Sequence, residues 1–266
     1  IKLNSINRRM FILAAAKVGG ILSNLRNPAD FILQNLKIQN NVIEAAFNFG
    51  VRRFLFLGSS CIYPKFSKQP IKEEYLLNGI LEPTNEWYAI AKIAGIKLCE
   101  ALYEDHDLDI ICLMPTNVYG KNDKFDKING HVIPAMISKF EDAKKKGLRS
   151  VKLLGTGRPL REFIHSDDLA VAIFQSLKFK RLNLKKIFKN KLNILNIGTN
   201  EEISIKNLAK LIKEYTNYRG KVFFDRNSPD GTYRKVLNSR KIKELGWSPK
   251  ISFKDGLKKV IDGRIN

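Results

Sequence analysis

Apolar and polar positions along the chain fall into two alternating kinds of run. Short apolar stretches that stop at Gly, Ser or Pro predict buried strands at 10–14, at 52–58 (RRFLFLG) and at 109–114, the last closed by Pro115. Between them, apolar residues recur at three- and four-residue intervals over 30–48, ended by Gly50, and over 86–103. That spacing predicts two long amphipathic helices. Strand and helix in alternation predict an α/β fold: a Rossmann-like doubly wound parallel sheet, with ligands gathered at the carboxyl ends of its strands. After Gly120 the rhythm loosens. Helices are expected over 132–145, 166–178, 204–215 (Ser204 as N-cap) and 255–261, and strands over 193–198 and 221–225. The lysine-rich stretch 178–191 reads as a solvated loop. Residues 1–125 form the expected dinucleotide-binding unit, with strand and helix returns near 160–200. Residues 126–266 form mainly a smaller α/β substrate-binding region.

Composition narrows the partners. The chain has 266 residues, 44% of them hydrophobic, enough for one or two domains with a sizeable core. Its net charge of +21 favours anionic partners: nucleic acid, an acidic membrane surface or a phosphorylated small molecule. A solvated lysine-rich surface would give the same number, because the basic residues are scattered. No aromatic–basic stripe, helix-turn-helix or zinc spacing is present, so nucleic acid is not the expected partner. No apolar run is long enough to cross a bilayer, so no membrane partner is expected either. Arg8-Arg9 before the apolar run 11–16 imitates a secretory signal, but Lys17 interrupts it. Cysteines stand at 61, 99 and 112, an odd number without metal-ligand pairing, so neither a disulfide framework nor a metal is expected and the setting is cytoplasmic. The first residue is Ile, which suggests a piece of a longer protein.

Two short patterns carry chemistry. Tyr88 and Lys92 are four apart within the 86–103 helix, so both project from one face. An ammonium beside a phenol favours the phenolate, and the Tyr pKa is expected to fall. Ser59, at the end of the second strand and 29 positions before Tyr88, can hydrogen-bond a carbonyl undergoing reduction. A turn would also explain Gly58-Ser59-Ser60, and a surface pair would explain Tyr88 and Lys92. The combination is far more specific than either part.

Ser59, Tyr88 and Lys92 resemble the catalytic set of short-chain dehydrogenase/reductases. PTNVYG (115–120) and REFIHSDD (161–168) resemble motifs of the extended, nucleotide-sugar branch. Five runs, LAAAKVGGI, FLGSSCIYP, LEPTNEWYAIAKIAGIKLCE, HVIPA and SPDGTYRK, resemble the GDP-L-fucose synthases within it. The resemblance extends from Leu13 to about Gly256. It implies NADPH-dependent 3,5-epimerisation and 4-reduction of GDP-4-keto-6-deoxy-D-mannose to GDP-L-fucose, by a homodimer joined through the two long helices. Tyr88 is implied as proton donor to the ketone, Lys92 as holder of the ribose, Ser59 as orienter, Cys61 as the epimerising base and His131 as its acid. Leu57, Gly58, Ser59, Ser60, Lys92, Pro115, Thr116, Asn117, Val118 and His131 are implied around NADP(H). Lys139, Leu154, Arg161, Asp230 and Lys235 are implied around the GDP-sugar. Lys139 and Leu154 depart from the Arg and Trp of many relatives. The resemblance also implies that the Gly-rich phosphate turn and the first strands of the sheet lie upstream of residue 1, since Gly19-Gly20 has the wrong spacing for a dinucleotide fingerprint. Rival readings are another epimerase or reductase of the same branch, a catalytically impaired fragment and, remotely, a basic nucleic-acid-binding protein. Cys99 and Cys112, in apolar surroundings, read as inert core residues.

Overall fold

Strands buried on both faces must be apolar at nearly every position, and their alternate side chains must feed two separate cores. That condition is met in the computed structural model, which describes residues 10–189, 191 and 193–265. In chain order its elements are β1 (Met10–Leu13), α1 (Ile21–Arg26), α2 (Pro28–Asn48), β2 (Arg53–Leu57), α3 (Glu86–His106), β3 (Asp109–Pro115) and β4 (Asn117–Tyr119). They continue with α4 (Val132–Lys145), β5 (Ser150–Leu154), β6 (Leu160–His165), α5 (Ser166–Ser176), α6 (Arg181–Phe188), β7 (Asn193–Ile197) and β8 (Glu202–Ser204). The last are α7 (Ile205–Tyr215), β9 (Lys221–Asp225), β10 (Arg234–Lys235), α8 (Arg240–Glu244) and α9 (Phe253–Ile265). Arg8 and Arg9 lie outside the described residues.

The main sheet has the order β1-β2-β3-β7, every pair parallel. Phe54, Phe56, Ile110, Cys112 and Met114 face one way and pack with Ile43 of α2 and Ile96 and Cys99 of α3. Leu55, Ile111, Leu113, Leu195 and Ile197 face the other way, against Leu169 and Ala172 of α5, Leu184 of α6 and Trp247. The doubly wound sheet expected from the sequence is thus present. β1 is its edge among the described strands, and Met10 and Ile12 are exposed there. A second sheet, ordered β10-β6-β4 with β8 antiparallel to β6, and the parallel pair β5-β9 lie beyond it. The third core joins them to α4, α7 and α9 through Ile137, Phe140, Leu153, Ile212 and Ile261.

One expectation fails. Residues 178–191 are not a solvated loop: α6 forms within them and buries Leu184 and Phe188 against the main sheet. The two apolar residues are four apart and so share a face, while the lysines around them face water. The segment is further held by Arg53, which donates to the carbonyls of Leu177 (2.8 Å) and Phe179 (2.7 Å).

Glu162 joins the two sheets. It has no exposed surface, and its carboxylate accepts from the backbone N–H of Asn200 (2.6 Å) and of Leu237 (2.9 Å). Its own carbonyl accepts from Thr116 Oγ1 (3.0 Å) and Asn117 Nδ2 (2.8 Å), just past β3. Gly198 is required beside it, because a Cβ there would overlap the carboxylate. Burial pushes the Glu162 pKa up, and the N–H donors pull it back. Glu162→Gln puts an NH2 where one backbone N–H needs an acceptor. We expect a loss of about 1–3 kcal/mol, read as a lower urea midpoint at unchanged slope.

Candidate active site

The carboxyl ends of β2 and β3 open into a cavity of about 530 Å³ that all the site residues named from the sequence line. Leu57 ends β2, and the Gly58 N–H donates to Leu113 O (2.8 Å). A Cβ on Gly58 would meet the end of the Met114 side chain, so glycine keeps the turn out of the sheet closely packed here. Ser59 then caps a single 3-10 turn, Ser60–Ile62, accepting from the Cys61 N–H (3.2 Å). That turn presents Cys61, half-buried, to the cavity.

Tyr88 and Lys92 come from one face of α3, as their spacing requires. The Ser59 hydroxyl stands beside the Tyr88 phenol and favours its ionised form. Lys92 is buried; its ammonium donates to Leu57 O (2.9 Å) and lies 4.8 Å from the Phe56 ring centroid and 6.0 Å from that of Tyr88. The electrostatics reverse the expectation of a depressed phenol. Burial pushes the Tyr88 pKa up, the neighbouring Cys61 adds to this, and the Ser59 hydroxyl offsets only part. Lys92 instead absorbs the cost: burial lowers its pKa from 10.5 to about 8. Tyr88 is therefore a protonated phenol at neutral pH, suited to giving a proton rather than taking one.

From the end of β3 into β4, Pro115, Thr116, Asn117 and Val118 line the same cavity as Ser59, with the Thr116 and Asn117 side chains fixed on the Glu162 carbonyl. His131 stands at the N-cap position of α4, makes no capping bond with its side chain, and has Nδ1 3.8 Å from Asp123 Oδ1. Lys139 of α4 is half-buried, and burial lowers its pKa. Leu154, the last residue of β5, is exposed on the cavity rim.

Arg161 and Lys235 are register partners on β6 and β10, which puts two cations side by side. Arg161 donates to Asp230 O (3.2 Å). The Lys235 ammonium is 3.9 Å from Cys61 Sγ, so it reaches the sulfur as well as the space for an anionic ligand. Asp230 is tied more tightly than the sequence indicated. Its two carboxylate oxygens accept from the Thr156 N–H and hydroxyl, each at 2.7 Å, and so fasten the β5 end to the loop before β10.

Sequence reasoning missed three contributors. Asn85 donates from Nδ2 to Cys61 Sγ (3.0 Å). Glu82, buried, accepts from Thr232 Oγ1 (3.1 Å) and pairs with Lys65 (3.3 Å). Gly20 lets the backbone pass close to Gly130, its N–H donating to Asn129 O (2.9 Å). None is visible locally: a Pro-Thr-Asn-Glu run before a helix reads as an N-cap, and the partners are remote in sequence. The cavity thus combines a phenol–serine pair able to protonate a carbonyl oxygen, a thiol within reach of the same space, and a cationic wall.

A doubly wound sheet with this serine–tyrosine–lysine set at its carboxyl edge is the architecture of a dinucleotide-dependent sugar-modifying enzyme. The profile of the NAD dependent epimerase/dehydratase family matches residues 5–198, and the chain belongs to that family. It is similar to the probable GDP-L-fucose synthase 1 of Oryza sativa subsp. japonica, 52% identical over 250 residues, covering 94% of this chain and 74% of the relative. To the GDP-L-fucose synthase of Escherichia coli (strain K12) it is 47% identical over 245 residues, or 92% of this chain and 76% of that one. Among solved structures, the GDP-mannoheptose C4 reductase of Campylobacter jejuni with NADP bound superposes at a TM-score of 0.84 and 36% identity, covering 97% and 82% of the two chains.

The lowered Lys92 pKa has a consequence for stability. Below about pH 8 the folded chain holds a buried ammonium, whereas the unfolded lysine keeps its proton up to 10.5. Between those values the unfolded state binds more protons, so this group adds stability as pH rises and its cost is in full force below the window. In the absence of nucleotide, wild type should gain stability relative to Lys92→Met between pH 8 and 10, by roughly 2–3 kcal/mol. Parallel urea midpoints of the two proteins across that range would contradict the assignment.

Proposed function

We propose that this chain makes GDP-L-fucose from GDP-4-keto-6-deoxy-D-mannose, epimerising carbons 3 and 5 and then reducing the ketone with NADPH. The observation that carries the reading is the meeting of two chemistries on Ser59. Its hydroxyl stands beside the Tyr88 phenol and accepts from the N–H of Cys61, so a proton donor and a thiol face one cavity. Similarity to GDP-L-fucose synthases over 92–94% of the chain supports the same substrate.

The residues fit a nicotinamide dinucleotide. Lys92 uses one of three ammonium protons on Leu57 O, which leaves donors for ribose hydroxyls at the cavity wall. Leu57 to Ser60, Pro115 to Val118 and His131 line the same space. NADPH, when bound, supplies the hydride. The GDP-sugar diphosphate is held by Lys139, Arg161 and Lys235, as cations that pair with phosphate oxygens. Lys139 offers a point charge where Arg would offer a fork, and Leu154 an aliphatic rather than aromatic surface, so grip on the nucleotide is looser at these two positions.

The sugar ketone lies against Ser59 and Tyr88. Carbons 3 and 5 are both adjacent to it, so loss of either proton gives an enolate that the same hydrogen bonds stabilise. Cys61 takes the proton and His131 returns one from the opposite face, inverting the carbon. Once the L-configured ketone is formed, Ser59 orients it and Tyr88 gives its proton to the oxygen. A phenol kept protonated by burial suits this step. A reductase that does not epimerise would need neither Cys61 nor His131. We further propose a cytoplasmic homodimer. Exposed Leu33 on α2 and Trp87 on α3 offer apolar surface for a second copy, and among the described residues no helix is long and apolar enough to cross a membrane.

The two chemistries are separable by mutation. Tyr88→Phe should lower NADPH oxidation roughly 10²–10⁴-fold. Cys61→Ser should abolish epimerisation and leave slow reduction of the unepimerised ketone. Equal loss of both activities in Cys61→Ser would contradict the assigned role.

A further inference from the structure

Asn85 stands at the N-cap position of α3, where an asparagine side chain ordinarily accepts from a backbone N–H in the first helical turn. It makes no such bond. Its Nδ2 instead donates to Cys61 Sγ (3.0 Å), and its Oδ1 is buried with no hydrogen-bond partner among the described residues. The side chain thus forgoes both a cap and a partner for its carbonyl in order to aim an N–H at sulfur. The turn that carries it, Pro83–Asn85, is itself held: the Glu82 carboxylate accepts from the Thr84 N–H (3.3 Å) and, 150 positions along the chain, from Thr232 Oγ1 (3.1 Å). On another side of the sulfur stands the Lys235 ammonium at 3.9 Å. Two donors therefore converge on the atom that must become an anion before it can take a proton from carbon.

We propose that Asn85 is a positioning residue for the epimerisation, its N–H aiming the Cys61 sulfur at the carbons beside the ketone and stabilising the negative charge the sulfur carries as it acts. The inference rests on the reading of Cys61 as the base. In the step it serves, the sulfur lone pair takes the proton of carbon 3 or 5, and the C–H electron pair passes into the enolate. No oxidant or reductant is involved. The Asn85 N–H stays on nitrogen and only stabilises the sulfur charge.

The test uses two variants and a readout that needs no substrate. Cys99 and Cys112 have no exposed surface, so iodoacetamide reports on Cys61 in the folded chain. Asn85→Ala and Asn85→Asp should each slow that alkylation at neutral pH by roughly tenfold, the scale of a hydrogen bond to a charged group. Both should slow solvent-deuterium incorporation at carbons 3 and 5 of the keto-sugar by a similar factor, with the KM for NADPH unchanged. Asn85 makes no capping bond, so a merely structural role predicts a stability change in Asn85→Asp with Cys61 alkylation in the folded chain as in wild type. The proposal predicts the opposite, because a carboxylate offers no N–H and repels an anion. Asn85→Asp also carries the test if Asn85→Ala fails to fold. Wild-type alkylation and deuterium incorporation in Asn85→Asp would overturn the proposal. Full deuterium incorporation in Cys61→Ser would overturn it together with the base assignment. Loss of incorporation in Cys61→Ser with unaffected Asn85 variants would sink this proposal alone.

Discussion

The site depends on a carboxylate that water does not reach. Glu162 bonds two backbone N–H groups through its side chain and two side chains through its carbonyl, and its neighbour in sequence is Arg161. One residue thereby fixes the cavity wall at Thr116 and Asn117, the strand that carries the Arg161 cation, and the segment at Leu237 that follows Lys235. Burying a charge is costly unless its lone pairs are satisfied. The requirement for four converging partners allows very few arrangements of the two sheets. The cavity is the space left between sheets locked in that relation.

Burial also sets the chemistry. Inside the cavity wall the dry environment penalises charge on Tyr88 and Lys92 alike, driving the phenol pKa up and the ammonium pKa down. The two effects leave a neutral phenol beside Ser59, the form that the proposed proton donor needs. Cys61, one turn beyond Ser59 and only half-buried, receives an amide N–H and a lysine instead of an apolar wall. Tyr88 and Cys61 thus line one cavity with different neighbours, as the proposed division between proton donor and base requires.

Much of this could be read from the sequence where local pattern and burial agree. β2 and β3 were legible because both faces are covered, and α3 because its face carries the Tyr88 and Lys92 pair. β6 was not. In LREFIH the arginine and glutamate interrupt an apolar run, and nothing local indicates that Glu162 is buried and satisfied from remote backbone. α6 was hidden by its lysines, since only Leu184 and Phe188 are fully buried, with Ile187 packed partly beside them. The depressed tyrosine expected from a nearby lysine failed because helical spacing places two side chains on one face without fixing which atoms meet. Lys92 settled on Leu57 O and the Phe56 ring. Asn85 and Lys235 were beyond sequence reach as partners of Cys61, lying 24 and 174 positions from it.

The account stands on one cavity performing both proton exchange and reduction on one ketone. The most direct measurement is a single incubation of the chain with GDP-4-keto-6-deoxy-D-mannose and NADPH in deuterium oxide, with the isotopes of the product located by NMR. The account predicts GDP-L-fucose carrying deuterium at carbons 3 and 5 and protium from NADPH at carbon 4. A reduced sugar of unchanged configuration, with no deuterium at carbons 3 and 5, would contradict it.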